Sequence, residues 1–359
     1  MKISELGEFG LIDLLAGMIN AAGDKPIRQA PSASFTLSLS NVLRASQDKE
    51  TDSRRQLILG IGDDAAAWYG DNSIQLATAD ALVQDVHFTL ETTSWQELGW
   101  KALAVNLSDI AAMGGLPRYA LVSLALPGQT EVEQVTALYR GMIELAQQFG
   151  VAIIGGNMSG APLVVINITV LGSTESRDRL LTRSAARPGD KIAVTGYPGM
   201  AAAGLEMLSK HLSFDSKDAD SLKAAFLTPY PRVVEGRLLV EHGVRAAIDI
   251  SDGLLSDLVH ICQMSKVGAR IDIDRLPVHP LVKTNFGGRA LELALSGGED
   301  YELLFTASAG VIDKVKADAK CPITVIGEIT AEKAGEIILV DGKGNTVDPT
   351  KTGWQHFTR

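Results

Sequence analysis

Apolar residues recur with helical spacing in "LGEFGLIDLLAGMIN", which predicts an N-terminal helix. Residues 21–56 are polar and Ser-rich and read as a loop or flexible insertion. From Gln56, short apolar runs alternate with turns: "LILGIG", "IQLATAD", then "DVHF". Helical periodicity returns over 95–113. "YALVSLALP" then reads as a strand, 131–149 as a helix, and "VAIIGG" and "LVVINITVLG" as strands. The charged stretch "ESRDRLLTRSAARPGD" ends in Pro and Gly and marks a domain boundary, giving an N-terminal domain of 1–173 and a C-terminal domain of 174–359. The second half restarts with "KIAVTG" (strand) and a helix near 199–211, followed by a polar region and a helix near 231–242. Next come "AIDI" and "ARIDI" as strands, a helix near 311–319, and the runs "PITVIGEI" and "EIILV". Strands and helices alternate throughout, so both halves read as α/β or α+β.

Composition narrows the function classes. A chain of 359 residues, 46% hydrophobic and 21% charged, has the make-up of a globular protein of about two domains. Its formal net charge of −10 lacks the basic footprint that nucleic-acid binding needs. Cys262 and Cys321 supply neither a disulfide framework nor zinc-site spacing. "MKISELGEFG" has no apolar core after Lys2, so no secretory leader is expected, and no apolar run is long enough to span a membrane. The expectation is a cytoplasmic protein with no membrane partner.

The informative residues are acids beside glycines at the ends of apolar runs. In "AIDISDGLLSDL", Gly253 permits a tight strand-to-helix turn and Ser251 or Asp252 can cap the helix. Capping does not account for Asp249, which lies between Ile248 and Ile250 and needs a partner if buried; a metal ion and a basic side chain are both candidates. Four further places repeat the pattern: Asp63 and Asp64 in "GIGDDAA", Asp80 and Asp85 in "ATADALVQD", Asn106 and Asp109 at i, i+3 in "NLSD", and Glu299 and Asp300 in "SGGED". Each alone is also an ordinary turn or a solvated stripe. Together they suggest several Mg²⁺ ions bridging carboxylates to a nucleotide triphosphate, with glycines that let a polyanion approach the backbone. Other phosphate motifs are missing: there is no G-x-x-x-x-G-K-[ST], no H-R-D or D-F-G set and no H-E-x-x-H. "GIGDDA" fits G-x-G-x-x-A in form, but its adjacent acids would repel a pyrophosphate.

The ordered set "GEFGLI", "GIGDDAA", "DALVQDVHF", "KALAVNLSDIAAMGG", "LTRSAARPGDKIAVTG", "AIDISDGLLSDL" and "SGGEDYEL" resembles the thiamine-monophosphate kinases, from about Gly7 to the C-terminus apart from the longer 21–56 stretch. That family is related to aminoimidazole-ribonucleotide synthetase and selenophosphate synthetase. The resemblance implies a homodimer with an N-terminal α+β domain, carrying a mixed sheet and the ATP, Mg²⁺ and dimer contacts, and a C-terminal α/β domain. It also implies ATP-dependent phosphorylation of thiamine monophosphate to thiamine diphosphate. Asp64, Asp80, Asp109, Asp249 and Asp252 match metal ligands, and Thr78 is placed to add an oxygen. Gly156, Ser251 and Arg183 match ATP contacts; His87, Glu299 and Trp354 match substrate contacts. Phosphoryl transfer depends on positioning and charge neutralisation, so direct in-line transfer without a side-chain general base is expected. Two positions depart from the family pattern. Asn157 stands where an Asp ligand is usual, and Ala79 replaces a hydroxyl residue before Asp80, leaving only a backbone carbonyl to ligate there. The rival readings are a non-catalytic binder of nucleotide or thiamine phosphates, which Asn157 alone favours, and an ATP-dependent synthetase of the same superfamily.

Overall fold

The computed structural model describes residues 1–23, 57–59, 67–68, 70 and 72–348. Asp63, Asp64, Trp354 and most of the 21–56 stretch lie outside the described residues. The chain divides into two compact units, Met1–Ile110 with Leu116–Glu175, and Ala111–Gly115 with Ser176–Arg359.

The first unit holds helix α1 (Ile3–Gly23), strands β1 (Leu57–Leu59), β2 (Ala67–Trp68) and β3 (Ile74–Val83), helix α2 (Trp95–Ala112), β4 (Leu116–Leu126), α3 (Val132–Phe149), β5 (Ala152–Gly160) and β6 (Val165–Thr174). Its four-stranded sheet has the order β3-β6-β4-β5; β4 and β5 run parallel and the other pairs antiparallel. Alternation sends Ile166, Ile168 and Val170 of β6 and Val122, Leu124 and Leu126 of β4 to a buried face. Helix α2 is buried on nearly every side, including the polar Lys101, Asn106 and Ser108, which already sets it apart from an ordinary amphipathic helix.

The second unit holds β7 (Lys191–Thr195), α4 (Met200–Ser209), α5 (Ser216–Leu227), α6 (Val233–Glu241), β8 (Ala246–Asp249), α7 (Leu254–Ser265), β9 (Gly268–Asp272), α8 (Pro280–Phe286), α9 (Ala290–Ser296), β10 (Leu303–Ala307), α10 (Ala309–Asp318), β11 (Ile323–Thr330), β12 (Ile337–Val340) and β13 (Thr346–Val347). The sheet order is β13-β12-β9-β11-β7-β10-β8, antiparallel except for the β9–β12 pair. Alternation feeds two cores. Ile192, Val194, Ile248 and Leu304 join Leu258 and Ile261 of α7 on one face, while Ala193, Ala247, Leu303 and Phe305 join Leu239, Ile312 and Val315 on the other. Mixed sheets with helices make the protein α+β.

One expected polar region is a helix. α5 is capped by Asp215, whose carboxylate accepts the Lys217 N–H at 3.1 Å, and is anchored by buried Leu222, Phe226 and Leu227. Its apolar stripe is narrow enough for the charged residues around it to hide the period.

Candidate functional site

In the first unit, the functional side chains cluster where β3 meets α2. Thr78 and Asp80 project to the same side of β3, and Ala79 to the exposed side. The Asp109 carboxylate accepts the Thr78 hydroxyl at 2.5 Å. Three residues earlier on the helix, the buried Asn106 amide oxygen accepts the Asp80 backbone N–H at 3.1 Å, and its amide nitrogen donates to the Ala102 carbonyl at 3.1 Å. The i, i+3 pair therefore does face one way, and Asn106 serves the backbone so that Asp80 keeps its place.

Strand register separates the remaining first-unit positions. Gly156 lies on the row of Val122, Ile168 and Asp80, whereas Asn157 lies on the next row, with Ser123, Asn167 and Ala81. Opposed residues share a face, so the exposed Asn157 projects from the other side of the sheet from Asp80. His87 is half-buried in the turn after β3, where its Nδ1 accepts the Val83 N–H at 3.1 Å. The same turn holds Asp85 at φ 66°, with its N–H on the Phe88 carbonyl.

In the second unit, the end of β8 and the end of the loop before β10 form a pair of joined loops. Ile250 N–H bonds the Glu302 carbonyl, Tyr301 N–H the Ile250 carbonyl, and Glu299 N–H the Ser251 carbonyl, at 2.8–2.9 Å. A Cβ on Gly298 would come within 2.4 Å of the Ser251 oxygen, and one on Gly253, at φ 124°, would meet the Ser296 carbonyl at 2.9 Å. These close approaches explain glycine at both places.

Acids in these loops do different work. Asp257, on the first turn of α7, folds back so that one oxygen, Oδ2, accepts the N–H groups of Ser251, Asp252 and Gly253 at 3.0, 3.2 and 3.1 Å. Burial, then the negative charges of Asp249 and Asp252, push its carboxyl up to about 8. Asp249 is buried at the end of β8 and Asp252 is half-exposed. Asp300 caps α4, accepting the Gly199 and Ala201 N–H groups at 2.6 and 3.0 Å; burial pushes it up to about 8 against those donors. Glu299, at φ 71°, is half-buried. Arg183 is exposed and sits at the far end of β8 from Asp252, since Thr182 bridges to Ala246.

Thr78, Asp80 and Asp109 in one unit, and Asp249 and Asp252 in the other, are hard oxygen donors of the kind Mg²⁺ takes, and the crowding of negative charge around Asp257 is what a cation relieves. Among the described residues, no three His, Cys, Asp or Glu side chains come together as a ready metal group. No helix among them is long and apolar enough to cross a membrane. Sequence reasoning left Asp257 without a role, although an acid in the first turn after a Gly loop is a helix-start signal. It also missed Arg232 and Glu302, whose ion pair joins residues seventy positions apart.

Residues 62–174 match the family of the AIR synthase related protein N-terminal domain, and 187–340 that of the AIR synthase related protein C-terminal domain. These two matches define the class of the protein. Within it, the thiamine-monophosphate kinase of Escherichia coli (strain K12) is 40% identical over 316 residues, covering 86% of this chain and 95% of that protein. The crystal structure of thiamine-monophosphate kinase from Stenotrophomonas maltophilia K279a superposes with a TM-score of 0.74 at 36% identity, over 86% of this chain and 96% of that one. The structure of AaThiL complexed with AMPPCP and TMP gives 0.71 at 31% identity, over 99% of both chains. The chain belongs to the thiamine-monophosphate kinase family, and its class is that of a transferase.

Proposed function

We propose that this protein transfers the γ-phosphoryl group of ATP to the phosphate of thiamine monophosphate, forming thiamine diphosphate and ADP. The observation that carries this reading is the match, over 99% of both chains, to a relative whose structure holds AMPPCP and TMP. In the reaction the bond from the γ-phosphorus to the bridging oxygen breaks as a bond forms to an acceptor phosphate oxygen, in line. The acceptor is already an anion at pH 7, so no side chain needs to remove a proton from it. Asp80 and Asp109, with Thr78 and the Ala79 carbonyl beside them, would hold Mg²⁺ in the first unit together with Asp64; Asp249 and Asp252 would hold it in the second. When bound, Mg²⁺ would neutralise phosphate charge. Asn157, on the opposite face of the sheet from Asp80, would not share a metal ion with it.

Backbone groups at Gly156, and separately those at Ser251, would contact ATP; Arg183 lies at the opposite end of β8 from Ser251 and would not clamp the same phosphates. His87, Glu299 and Trp354 would contact the acceptor. Thiamine is cationic and aromatic, which suits a carboxylate and an indole. The protein would act in the cytoplasm as a homodimer. The test is to incubate it with ATP, Mg²⁺ and thiamine monophosphate and to follow thiamine diphosphate by chromatography. Mg²⁺-dependent product that is lost in Asp109→Ala is expected. No product from a protein that still binds ATP would refute the reading.

A further inference from the structure

The loop from Gly297 to Tyr301 is held in an unfavourable backbone state. Glu299 and Tyr301 have φ of 71° and 51°, and neither is glycine. A left-handed backbone is disfavoured for any residue with a Cβ, so something around the loop must over-determine it. Asp300, between the two, is fixed on the N-terminus of α4. The downstream end is fixed by Glu302, which is 8% exposed. Arg232 grips Glu302 at two points, Nε to Oε2 at 2.7 Å and Nη2 to Oε1 at 2.6 Å. The Thr195 hydroxyl donates to Oε2 at 2.5 Å and accepts the Leu303 N–H at 2.8 Å. Both Glu302 carboxylate oxygens, two guanidinium nitrogens and the Thr195 hydroxyl are thus paired beside the first residues of β10, and none of these side chains has a role in the phosphoryl transfer described above.

We infer that the Arg232–Glu302 pair is a positioning element for substrate recognition: it holds the strained loop so that Glu299 is presented to the cationic heteroaromatic part of the acceptor. The inference rests on the kinase reading for the identity of that acceptor. The neighbouring loop that carries Ser251 and Asp252 has its own anchor in Asp257, so loosening the Arg232 end acts on the acceptor side and leaves the nucleotide side in place. Lysine at 232 would keep the charge and lose the two-point fork.

The test uses the full chain with Arg232→Lys and the double variant Arg232→Met/Glu302→Gln. Removing both charges together leaves neither member of the pair buried and unpaired; the buried Glu235 beside Arg232 loses a counter-charge, but burial already pushes its carboxyl toward the neutral form. Hydrogen exchange is measured first, without ligand. The amides of Glu299 and Tyr301 should exchange about tenfold faster in Arg232→Lys, since their bonds to Ser251 and Ile250 depend on the loop's closed state. In turnover, KM for thiamine monophosphate should rise about tenfold in both variants, with KM for ATP and kcat within about twofold of the parent. A merely structural pair would move all three together or none. Unchanged exchange in Arg232→Lys, or parental KM for thiamine monophosphate in a folded double variant, overturns the inference. A parent protein that turns over no thiamine monophosphate removes the kinase reading and the acceptor role with it, and exchange then still decides whether the pair holds the loop.

Discussion

The Asp257 carboxylate is the most exacting place to perturb, because three backbone donors converge on one of its oxygens. In Asp257→Ala those three N–H groups lose their acceptor. Ser251 and Asp252 are half-exposed, so water can reach their amides, whereas Gly253 is buried and its donor would be left unsatisfied. One buried orphan at ~1–3 kcal/mol plus two partly solvated ones gives a loss of ~2–4 kcal/mol. In Asp257→Asn the amide oxygen can occupy the Oδ2 position and keep all three bonds. Burial and the charges of Asp249 and Asp252 already disfavour the ionised form, so little is lost with the charge, and ~1 kcal/mol or less is expected. Urea unfolding at fixed pH reads both values, with an unchanged slope showing that only stability has moved. ATP affinity, measured by calorimetry, should weaken in Asp257→Ala and be nearly preserved in Asp257→Asn, because the anchored loop carries Ser251 and Asp252. Equal loss in both variants, or an Ala variant as stable as the parent, would refute the view that a neutral acceptor at this point organises the loop.

Other perturbations separate architecture from chemistry. Glu299→Gly should raise stability by ~1 kcal/mol by relieving a positive φ, while raising KM for thiamine monophosphate; thermal unfolding alongside steady-state kinetics checks the pairing. Thr78→Val removes the donor to Asp109 and should cost about 1 kcal/mol by urea unfolding, with a larger effect on Mg²⁺ dependence of turnover than on ATP affinity. Asp300 gives a pH test. Its folded value, up to about 8, lies above the ordinary carboxylate value of about 4, so the native state binds the proton more tightly and this group's contribution to stability falls as pH rises through that window. Unfolding free energy measured at pH 5 and pH 8 should therefore differ less in Asp300→Asn than in the parent. Asn157→Asp should leave the Mg²⁺ dependence of turnover nearly unchanged, because residue 157 projects from the other side of the sheet from Asp80; a shift to lower Mg²⁺ would refute that separation.

Much of the fold was legible because its strands and longer helices carry clean periods. Trp95–Ala112 and Val132–Phe149 fall where the apolar spacing puts them, as do the strands β3 to β9, β11 and β12, whereas β10 and β13 were not expected. α5 was not, since its contact stripe is three residues in a charged helix, and α8 is too short to show a period. The resemblance brought out acids by motif, and motif cannot distinguish an acid that meets a ligand from one that meets the backbone. Asp109 and Asn106 illustrate this: both face β3, yet Asn106 is consumed by the Asp80 amide while Asp109 holds a hydroxyl.

The same distinction runs through "SGGEDYEL". Four polar or aromatic residues in succession look like one site, but the backbone sorts them. Asp300 turns to the helix start, Glu302 to Arg232, and the reversed φ at Glu299 and Tyr301 is what lets neighbours point to different partners over so short a stretch. A sequence of ordinary β geometry would alternate between only two faces. The positive φ values therefore do structural work that enables the functional one: they let Glu299 take a direction of its own, apart from the two anchored acids that follow it. Asp300 is already held by the helix start and Glu302 by Arg232, so the strained Glu299 is the place to look for the ligand of this loop before either of its acidic neighbours.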